Sequence, residues 1–336
     1  MAENHHITDI AIIGAGPVGL FAIFEAGMLK MHCHVVDALD FPGGQCAALY
    51  PEKPIYDIPG FPAIDALRLV ENLKEQAAPF NPVYHFGQNV EKCEKLNNGW
   101  QITTSKNAVI EAKAILIAAG CGAFGPNRPP IDGLESYEGK SVFYAVTRKE
   151  DFRNKKIVIA GGGDSAVDWT LALADIASHV SVIHRRPKFR CAPESARRLE
   201  ELAKSGKIDM VVPYQLDGLQ GKNGVLKKVI VKDLDNNKKE IAADFLLAFF
   251  GLSMELGAIA SFGLNLDFNH IKVSSETLET NKSGIFAIGD IAKYPGKLKL
   301  ILCGFSEAAM AIHAIYPLVH SEALHFEYST TKGLPA

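Results

Sequence analysis

The sequence has no excess of charge of either sign, since its 336 residues carry a formal net charge of only −3. A surface that wraps nucleic acid or coats an anionic membrane needs a strong basic balance, so the total favours neither role. The chain also lacks an uninterrupted hydrophobic run of membrane-spanning length. Residues 10–29 come nearest to one, but glycines, Pro17 and Glu25 interrupt them and no Lys or Arg precedes them, as a secretory signal would require. We expect a buried strand and helix there, with no membrane and no nucleic acid among the partners.

Cysteine is scarce and scattered. The six cysteines form no Cys-x-x-Cys pair and show no metal-ligand spacing, so we expect no metal site. A chain of this length, 48% hydrophobic, can build two cores of ordinary domain size and needs no disulfides to be stable. We therefore expect a cytoplasmic protein with two domains.

A strand, a glycine-rich turn, a helix and a second strand follow one another near the N-terminus. The strand at 9–13 leads into residues 14–19, which fit G-x-G-x-x-G; a helix is predicted over 17–30 and a strand over 34–37. The first glycine makes the turn, the second lets a pyrophosphate approach, and the third packs helix on strand. An acid at the end of the second strand can accept hydrogen bonds from a ribose hydroxyl. The predicted nucleotide-binding residues here are Gly14, Gly16, Pro17, Gly19 and Asp37.

The same order of elements returns between residues 156 and 184. A strand at 156–160 precedes residues 161–166, which fit G-x-G-x-x-A, and a helix over 165–177 and a strand over 180–184 follow. Arginines stand where the first unit has its acid. Guanidinium groups can bind a ribose 2′-phosphate bidentately, so this unit selects NADP(H) over NAD(H), the alternative being a solvated basic stretch. The predicted NADP(H)-binding residues are Gly161, Gly163, Asp164, Ser165, Ala166, His184, Arg185, Arg186 and Arg190.

A third segment favours FAD for the first site. Residues 280–290 read as a strand ending in Gly289 and Asp290, whose carboxylate can bind the ribityl chain or the pyrophosphate region of FAD; a plain strand and turn is the alternative. A helix beginning near Phe305 would point its positive end at the flavin ring. We predict an α/β fold of two Rossmann-like dinucleotide-binding domains. The NADP(H) domain (120–250) is inserted into an FAD domain made of 1–119 and 251–336.

In this order the motifs resemble the thioredoxin reductase family. The resemblance rests on residues 14–19, the turn at 43–45, the inserted unit with its arginines, and Gly289 with Asp290. Thioredoxin reductases carry a Cys-x-x-Cys pair just before the second glycine-rich unit, where this chain has Tyr144 and Thr147. Without a thiolate pair to accept electrons, dithiol chemistry is excluded.

The sequence is more similar to the ferredoxin–NADP reductase branch, whose members lack the cysteine pair. That branch carries a signature seen here at 43–46 and 50–53, and a C-terminal extension like residues 326–331. The resemblance implies FAD contacts from Asp37, Gly44, Gln45, Tyr50, Val90, Phe124, Asp290 and Thr330. It further implies that Tyr50 and Tyr328 stack on opposite faces of the isoalloxazine, the latter from the tail of a partner subunit. A homodimer is therefore expected, with a frayed tail as the alternative for Tyr328.

The implied reaction is hydride transfer between NADPH and FAD, and single-electron transfer between FAD and ferredoxin or flavodoxin. The chemistry belongs to the cofactors, so no catalytic acid, nucleophile or metal is required, and Glu52 and Asp57 are read as surface carboxylates. An acidic partner would dock on a basic patch, for which Lys293, Lys297 and Lys299 are candidates against a simple solvated loop.

Other functions remain open at this point. An NADPH-binding flavoprotein redox sensor and a flavin-dependent reductase of a small molecule would share the same motifs. A flavin monooxygenase would normally show a Phe-x-Gly-x-x-x-His stretch between the two units, and residues 138–143 contain no histidine.

Overall fold

The computed structural model describes residues 4–322, apart from the side chains of Ala123 and Phe124. Its strands, numbered along the chain, are β1 (His5–Ile13), β2 (Cys33–Asp37), β3 (Pro54–Ile55), β4 (Ile64–Asp65), β5 (Val83–Phe86), β6 (Val90–Leu96), β7 (Gly99–Thr104), β8 (Val109–Ile117), β9 (Ala123–Pro126), β10 (Val142–Phe143), β11 (Lys156–Ala160), β12 (His179–Ile183), β13 (Ile208–Val211), β14 (Gln215–Lys222), β15 (Val225–Lys232), β16 (Lys238–Ala242), β17 (Phe245–Ala248), β18 (Leu252–Glu255), β19 (Leu266–Asp267), β20 (His270–Lys272), β21 (Ile285–Ala287) and β22 (Ala292–Lys293). The helices are α1 (Pro17–Met28), α2 (Gly44–Ala48), α3 (Ala66–Ala77), α4 (Asp164–Leu173), α5 (Pro193–Lys204) and α6 (Ile301–Val319). Short 3₁₀ turns lie at Ala78–Phe80, Leu134–Ser136, Lys149–Phe152, Gly257–Ser261 and Gly289–Ile291.

A seven-stranded sheet contains the first predicted βαβ unit. Its order is β5-β2-β1-β8-β7-β6, and β21 pairs with the second half of β8. The pairs among β5, β2, β1, β8 and β21 are parallel, while β6 and β7 are antiparallel. Because β21 comes from residues 285–287, the chain returns to this sheet after the second unit.

Alternate side chains of β1 lie in two different hydrophobic clusters. Because both faces of the strand are buried, its sequence is apolar at successive positions. Ile10 and Ile12 face the cluster under α1, α3 and α6, which also holds Leu20, Leu69 and Ile312 and is called here the first helix-side cluster. The neighbouring residues Ala11 and Ile13 face a second buried cluster on the opposite face of the sheet.

The second predicted βαβ unit lies in a five-stranded parallel sheet. Its order is β10-β17-β11-β12-β13, and α4 connects β11 to β12. Ile157 and Ile159 face the cluster that holds Trp169 of α4 and Leu199 of α5, called here the second helix-side cluster. Val158 faces the other side, towards the β14-β15-β16 sheet.

The two crossings between the sheets pair with each other. Strands β9 and β18 form an antiparallel two-stranded ribbon, and the Asn127 N–H donates to the Gly251 carbonyl at 3.0 Å. Two smaller pairings, β3-β4 and β19-β20-β22, complete the topology of the described residues.

Three helix boundaries differ from the prediction. Helix α1 ends at Met28 because Lys30 has a left-handed φ of 57°, which ends the helical course. Helix α4 ends at Leu173, and the Ser178 N–H then donates to the Lys155 carbonyl at 3.0 Å as the chain enters β12. Helix α6 begins at Ile301 rather than near Phe305. Its N-cap, Leu300, makes no side-chain capping bond, so the sequence carries no start signal there.

Helix α6 is the one helix in residues 4–322 that is long and apolar enough to cross a bilayer. A core helix of a soluble protein passes the same test of length and composition. One face of α6 is buried, and its buried residues are Gly304, Glu307, Ala308, Ala311, Ile312 and Ile315. We interpret it as a core helix.

Glu307 is a carboxylate buried within α6, where only 2% of its surface is exposed. It accepts hydrogen bonds from the Gly289 N–H at 2.7 Å and from the Tyr294 hydroxyl at 2.6 Å. It also forms an ion pair with Lys297, whose side chain is 4% exposed. These contacts bind the Gly289–Ile291 turn and the residues after it to α6.

Removing one charge of this pair should cost more than removing both. We expect Lys297→Met to lower the free energy of unfolding by about 3 kcal/mol, because it leaves the Glu307 charge buried without its counter-ion. Lys297→Met combined with Glu307→Gln should recover more than half of that loss, since glutamine can still accept a hydrogen bond from Gly289. Urea unfolding measures both values. A single-variant loss below about 1 kcal/mol, typical of exposed pairs, would contradict the expectation.

Candidate functional sites

The first candidate site lies at the carboxyl edge of the seven-stranded sheet. In the sheet register Ile13 is level with Val36 on one side and with Ile117 on the other, and Ala287 is level with Ile117. The segments that follow these strands therefore meet at one edge, where open α/β sheets bind nucleotides. The structure thus brings Gly289 together with Gly14 and Asp37, which precede it by more than 250 residues in the sequence.

Three glycines of the first turn have three different environments. A Cβ on Gly14, which has a φ of +110°, would lie 2.4 Å from the Ala118 carbonyl oxygen. A Cβ on Gly19 would lie 2.0 Å from the Gly14 carbonyl oxygen, so α1 can pack on β1 only without a side chain there. A Cβ on Gly16 would meet nothing within 4 Å. The open space at Gly16, beside the N-terminus of α1, fits a phosphate group.

Asp37 is fixed at the end of β2 by backbone donors. Its Oδ2 accepts the Ala15 N–H at 2.6 Å and its Oδ1 accepts the Leu39 N–H at 2.8 Å. Burial raises the pKa of this carboxyl, and the two N–H groups oppose the rise. The carboxylate is thereby held beside the glycine turn, with lone pairs left to accept ribose hydroxyls.

The Gly43-Gly44-Gln45 turn packs directly on the first glycine turn. The Gly43 N–H donates to the Ala15 carbonyl at 2.8 Å, and a Cβ on Gly44 would lie 3.1 Å from the Gly16 Cα. Gln45 hydrogen-bonds Cys121, which links the turn to the first crossing. The two glycine-rich turns therefore form one wall of the site.

Gly289 and Asp290 reach the same place from the end of β21. A Cβ on Gly289 would meet the Val18 side chain at 3.7 Å, and a Cβ on Gly304 would lie 2.4 Å from the Val18 Cγ2. The first turns of α1 and α6 thus meet beside this loop. The charge of Asp290 contributes to the raised pKa of Cys46 after burial, so its carboxylate lies within electrostatic range of that thiol.

Tyr50 lies between the two helix-side clusters and packs against both. Its hydroxyl receives a weak hydrogen bond from the Cys46 thiol at 3.8 Å, and the Lys53 Nζ lies 5.6 Å from its ring centroid. Burial, and then the neighbouring Cys46, raise the pKa of Tyr50. The ring is therefore a neutral aromatic surface.

The other residues that the resemblance assigned to FAD are placed as follows. Val90 begins β6 and is buried; just before it, the Gln88 N–H donates to the Asp37 carbonyl at 3.0 Å, which brings this segment to the end of β2. Phe124 lies in β9, opposite Met254, and its side chain lies outside the described structure. Tyr328 and Thr330 lie outside the described residues.

The second candidate site occupies the same edge of the five-stranded sheet, after β11 and β12. The His184 ring lies over Gly162, where an added Cβ would be 2.1 Å from the His184 Cε1. The buried Nε2 of His184 has no hydrogen-bond partner in the structure. A buried polar atom beside a glycine turn is a position that a bound nucleotide can satisfy.

Three exposed arginines surround this turn. The Arg190 N–H donates to the Gly162 carbonyl at 2.6 Å, which fixes Arg190 beside the turn, and Arg185 and Arg186 follow His184 just after β12. Burial, and then the charges of Arg190, Arg185 and Arg186, lower the pKa of His184. Within residues 4–322 none of these arginines makes an ion pair, so all three guanidinium groups are available to a phosphate.

Helix α4 carries the remaining predicted residues of this site. Asp164 and Ser165 are exposed in its first turn and Ala166 is buried against Gly161. The Asp164 Oδ1 accepts the Ala192 N–H at 3.1 Å, which fixes the loop after Arg190 to the start of the helix. The residues present at both turns fit a dinucleotide.

The predicted basic patch is partly wrong. The Lys297 side chain is buried against Glu307, as described above, so its charge is not available to a partner. Lys293 and Lys299 are exposed. Lys272 lies beside Lys293 in the β20-β22 register and is exposed too, and sequence reasoning missed it because the pairing joins residues 21 positions apart.

Glu52 is also not the surface carboxylate expected from the sequence. It is partly buried, and its Oε2 accepts the Lys149 N–H at 2.7 Å. The next residue, Lys53, forms an ion pair with Asp168 of α4 at 2.8 Å. No local pattern could reveal these contacts, because their partners lie about a hundred residues away along the chain.

Comparison with known proteins gives the same fold. A family model described as pyridine nucleotide-disulphide oxidoreductase matches residues 8–313. The structure is similar to Lactococcus lactis thioredoxin reductase in its FR conformation, with a TM-score of 0.80 and 25% identity over 93% of this chain and 99% of that one. It is similar to thioredoxin reductase from T. acidophilum with a TM-score of 0.82 and 23% identity over 93% of this chain and 98% of that one.

Curated relatives are much more similar in sequence. A protein named ferredoxin–NADP reductase from Rhodospirillum rubrum is 58% identical over 333 residues, which cover 98% of this chain and 96% of the relative. A protein of the same name from Paramagnetospirillum magneticum is 59% identical over 332 residues, or 98% of each chain. The chain therefore belongs to the pyridine nucleotide-disulphide oxidoreductase family and, within it, to the ferredoxin–NADP reductases with the thioredoxin reductase-like fold.

Proposed function

We propose that this protein is an FAD-dependent ferredoxin–NADP(+) oxidoreductase. One observation carries the proposal: the two glycine turns have opposite charges beside them. Asp37 suits the unphosphorylated ribose of FAD, and Arg185, Arg186 and Arg190 suit the phosphorylated ribose of NADP(H). When bound, FAD supplies the chemistry that couples a two-electron donor to one-electron acceptors.

The environment of Tyr144 supports an external electron acceptor. Its hydroxyl donates to Glu138 at 2.5 Å, and the Arg128 guanidinium binds the same carboxylate at 2.7 and 2.8 Å. Burial, and then the hydrogen bond to Glu138, raise the pKa of Tyr144 to about 12. A phenol cannot form a disulfide, so Tyr144 cannot take the place of a thiol in dithiol chemistry.

The exposed lysines Lys272, Lys293 and Lys299, called here the lysine patch, are the proposed docking surface for ferredoxin or flavodoxin. Lys272 and Lys293 border an open cavity of about 430 Å³ that Asp267 and Tyr294 also line, and the Lys299 Nζ lies 2.8 Å from the His270 Nε2. Burial, and then the charges of Lys299 and Lys293, lower the pKa of His270, and Asp267 opposes this shift. Lys299 also lies within electrostatic range of Cys121, and the patch thus adjoins the proposed FAD site.

The assignment of ligand contacts to the predicted residues belongs to the same proposal. So do the division into domains at 1–119, 120–250 and 251–336, the homodimer with Tyr328 stacked on the partner's flavin, and the cytoplasmic location. The division is supported by the two sheets, and the cytoplasm by six free cysteines.

The proposal is tested by turnover. The purified, FAD-loaded protein mixed with NADPH and ferredoxin should reduce cytochrome c, and leaving out ferredoxin should abolish most of that rate. If NADPH reduces the flavin but ferredoxin accelerates nothing, a redox sensor or a reductase of small molecules becomes the better assignment.

The arginines should decide between NADPH and NADH. We expect Arg185→Ala with Arg186→Ala to raise KM for NADPH about 100-fold, because two charge-assisted contacts to the 2′-phosphate are lost. KM for NADH should change less than about threefold. Arg197→Ala is the matched control, since Arg197 pairs with Glu194 and Glu201 on α5. Equal losses with both coenzymes would argue against the assignment.

Charge reversal should separate docking from flavin chemistry. Changing all three patch lysines to Glu should raise KM for ferredoxin at least about tenfold, because the charges that attract an acidic partner are lost. The rise in KM should be larger at low salt concentration, where charges are screened less. Ferricyanide reduction by NADPH should stay the same. Reversal of the exposed Lys222, Lys227 and Lys239 gives the same change in net charge elsewhere. If that control raises KM for ferredoxin as much, the patch is not the docking surface.

A further inference from the structure

The segment Tyr50-Pro51-Glu52-Lys53, called here the bridge segment, touches both nucleotide-binding units. The Lys53 Nζ lies 2.8 Å from the Asp168 Oδ2 of α4, with side chains that are 17% and 25% exposed. The Glu52 Oε2 accepts the N–H of Lys149, at the start of the Lys149–Phe152 turn, at 2.7 Å. These two contacts attach the segment to the second unit at two separate points.

The backbone of the bridge segment is fixed to the first unit. The Leu67 N–H donates to the Pro51 carbonyl at 2.9 Å, and the Ala66 N–H donates to the Lys53 carbonyl at 3.0 Å. These donors belong to the first turn of α3, whose N–H groups have no partner within the helix. The backbone of the bridge segment therefore bonds to the first unit, while the side chains of Glu52 and Lys53 bond to the second.

Lys53 contacts both the Tyr50 ring and α4, whose relative position the proposed reaction depends on. Its ammonium lies 5.6 Å from the centroid of the Tyr50 ring, on which the flavin is proposed to stack. Its partner Asp168 lies on α4, the helix that begins at the second glycine turn. Because the pair is mostly shielded from water, salt screens it less than a surface pair, and its geometry is more restricted.

We propose that Lys53 and Asp168 are positioning residues for hydride transfer. Their ion pair, together with the Glu52 hydrogen bond to Lys149, holds α4 in a fixed relation to the Tyr50 ring and so sets the rate of the step. In that step the protein moves one hydride, a hydrogen with two electrons, from NADPH to FAD; NADPH is oxidised to NADP⁺ and FAD is reduced. The inference rests on the proposed function.

Hydrogen exchange tests the bridge without any turnover. If the two contacts act as one attachment, Lys53→Met should speed amide exchange at Lys149 about fivefold or more, although Lys53 does not bond that amide. Asp168→Asn should do the same from the other side of the pair. Lys228→Met is the matched control, because it breaks an exposed pair with Glu240 at a distance from both units' glycine turns.

Rapid mixing of the FAD-loaded protein with saturating NADPH, without oxygen, tests the rate. Lys53→Met and Asp168→Asn should each slow flavin reduction about tenfold, and the double variant should be no slower than either single one. The dissociation constant for NADP⁺ should stay within about twofold, because neither residue is proposed to touch that ligand. Lys228→Met should leave the rate unchanged.

Multiplicative losses in the double variant, an unchanged rate, or unchanged exchange at Lys149 would each overturn the inference. A loss confined to NADP⁺ affinity would also overturn it, since a positioning role predicts an effect on the rate. If the unaltered protein is not reduced by NADPH at all, the proposed function fails, and the exchange result still decides whether the bridge exists.

Discussion

The close approach of backbone around Gly14 determines where the rest of the first site can lie. Gly14 packs on the Ala118 carbonyl and Gly19 packs on the Gly14 carbonyl, at distances that leave no room for a side chain. Helix α1 must therefore begin directly at the end of β1, with its free N–H groups at the edge of the sheet. The peptide of Ala15 is then held from both sides, by Asp37 at its N–H and by Gly43 at its carbonyl. The acid and the second glycine turn therefore both attach to the residue that follows Gly14.

Charge distinguishes two sites that share one backbone plan. In each unit the residues at the carboxyl end of the second strand are the ones that would meet the ribose. In the first unit the residue there is Asp37, whose carboxylate is already oriented by two backbone donors. In the second unit His184 holds the equivalent position, its buried Nε2 has no partner in the described structure, and the exposed Arg185 and Arg186 follow it. The net charge of −3 conceals this difference, because it sums over the whole chain.

Local sequence patterns predicted the strands and helices, but they could not predict side-chain contacts between residues far apart in the sequence. Both βαβ units were predicted because glycine turns between apolar strands have one dominant structural cause, and their strands pair as expected. The start of α6 was wrong because Leu300 gives no capping signal. Lys297 was misread as a surface lysine because its partner Glu307 lies on the neighbouring face of a helix whose register was not yet known. Glu52 was misread as a surface carboxylate and the ion pair of Lys53 could not be predicted, since the partners of both residues belong to the second unit.

The bridge segment gives the two units a second attachment besides the β9-β18 ribbon. Two units that were joined only by the β9-β18 ribbon would be free to turn about it. A second attachment away from the ribbon removes this freedom, because a body held at two separated places cannot rotate about one of them. An ion pair and a single hydrogen bond suit this task better than apolar packing, since they are directional and can be broken without exposing a core. The Tyr50 ring packs on both helix-side clusters, so any rotation of one unit against the other would change its contacts.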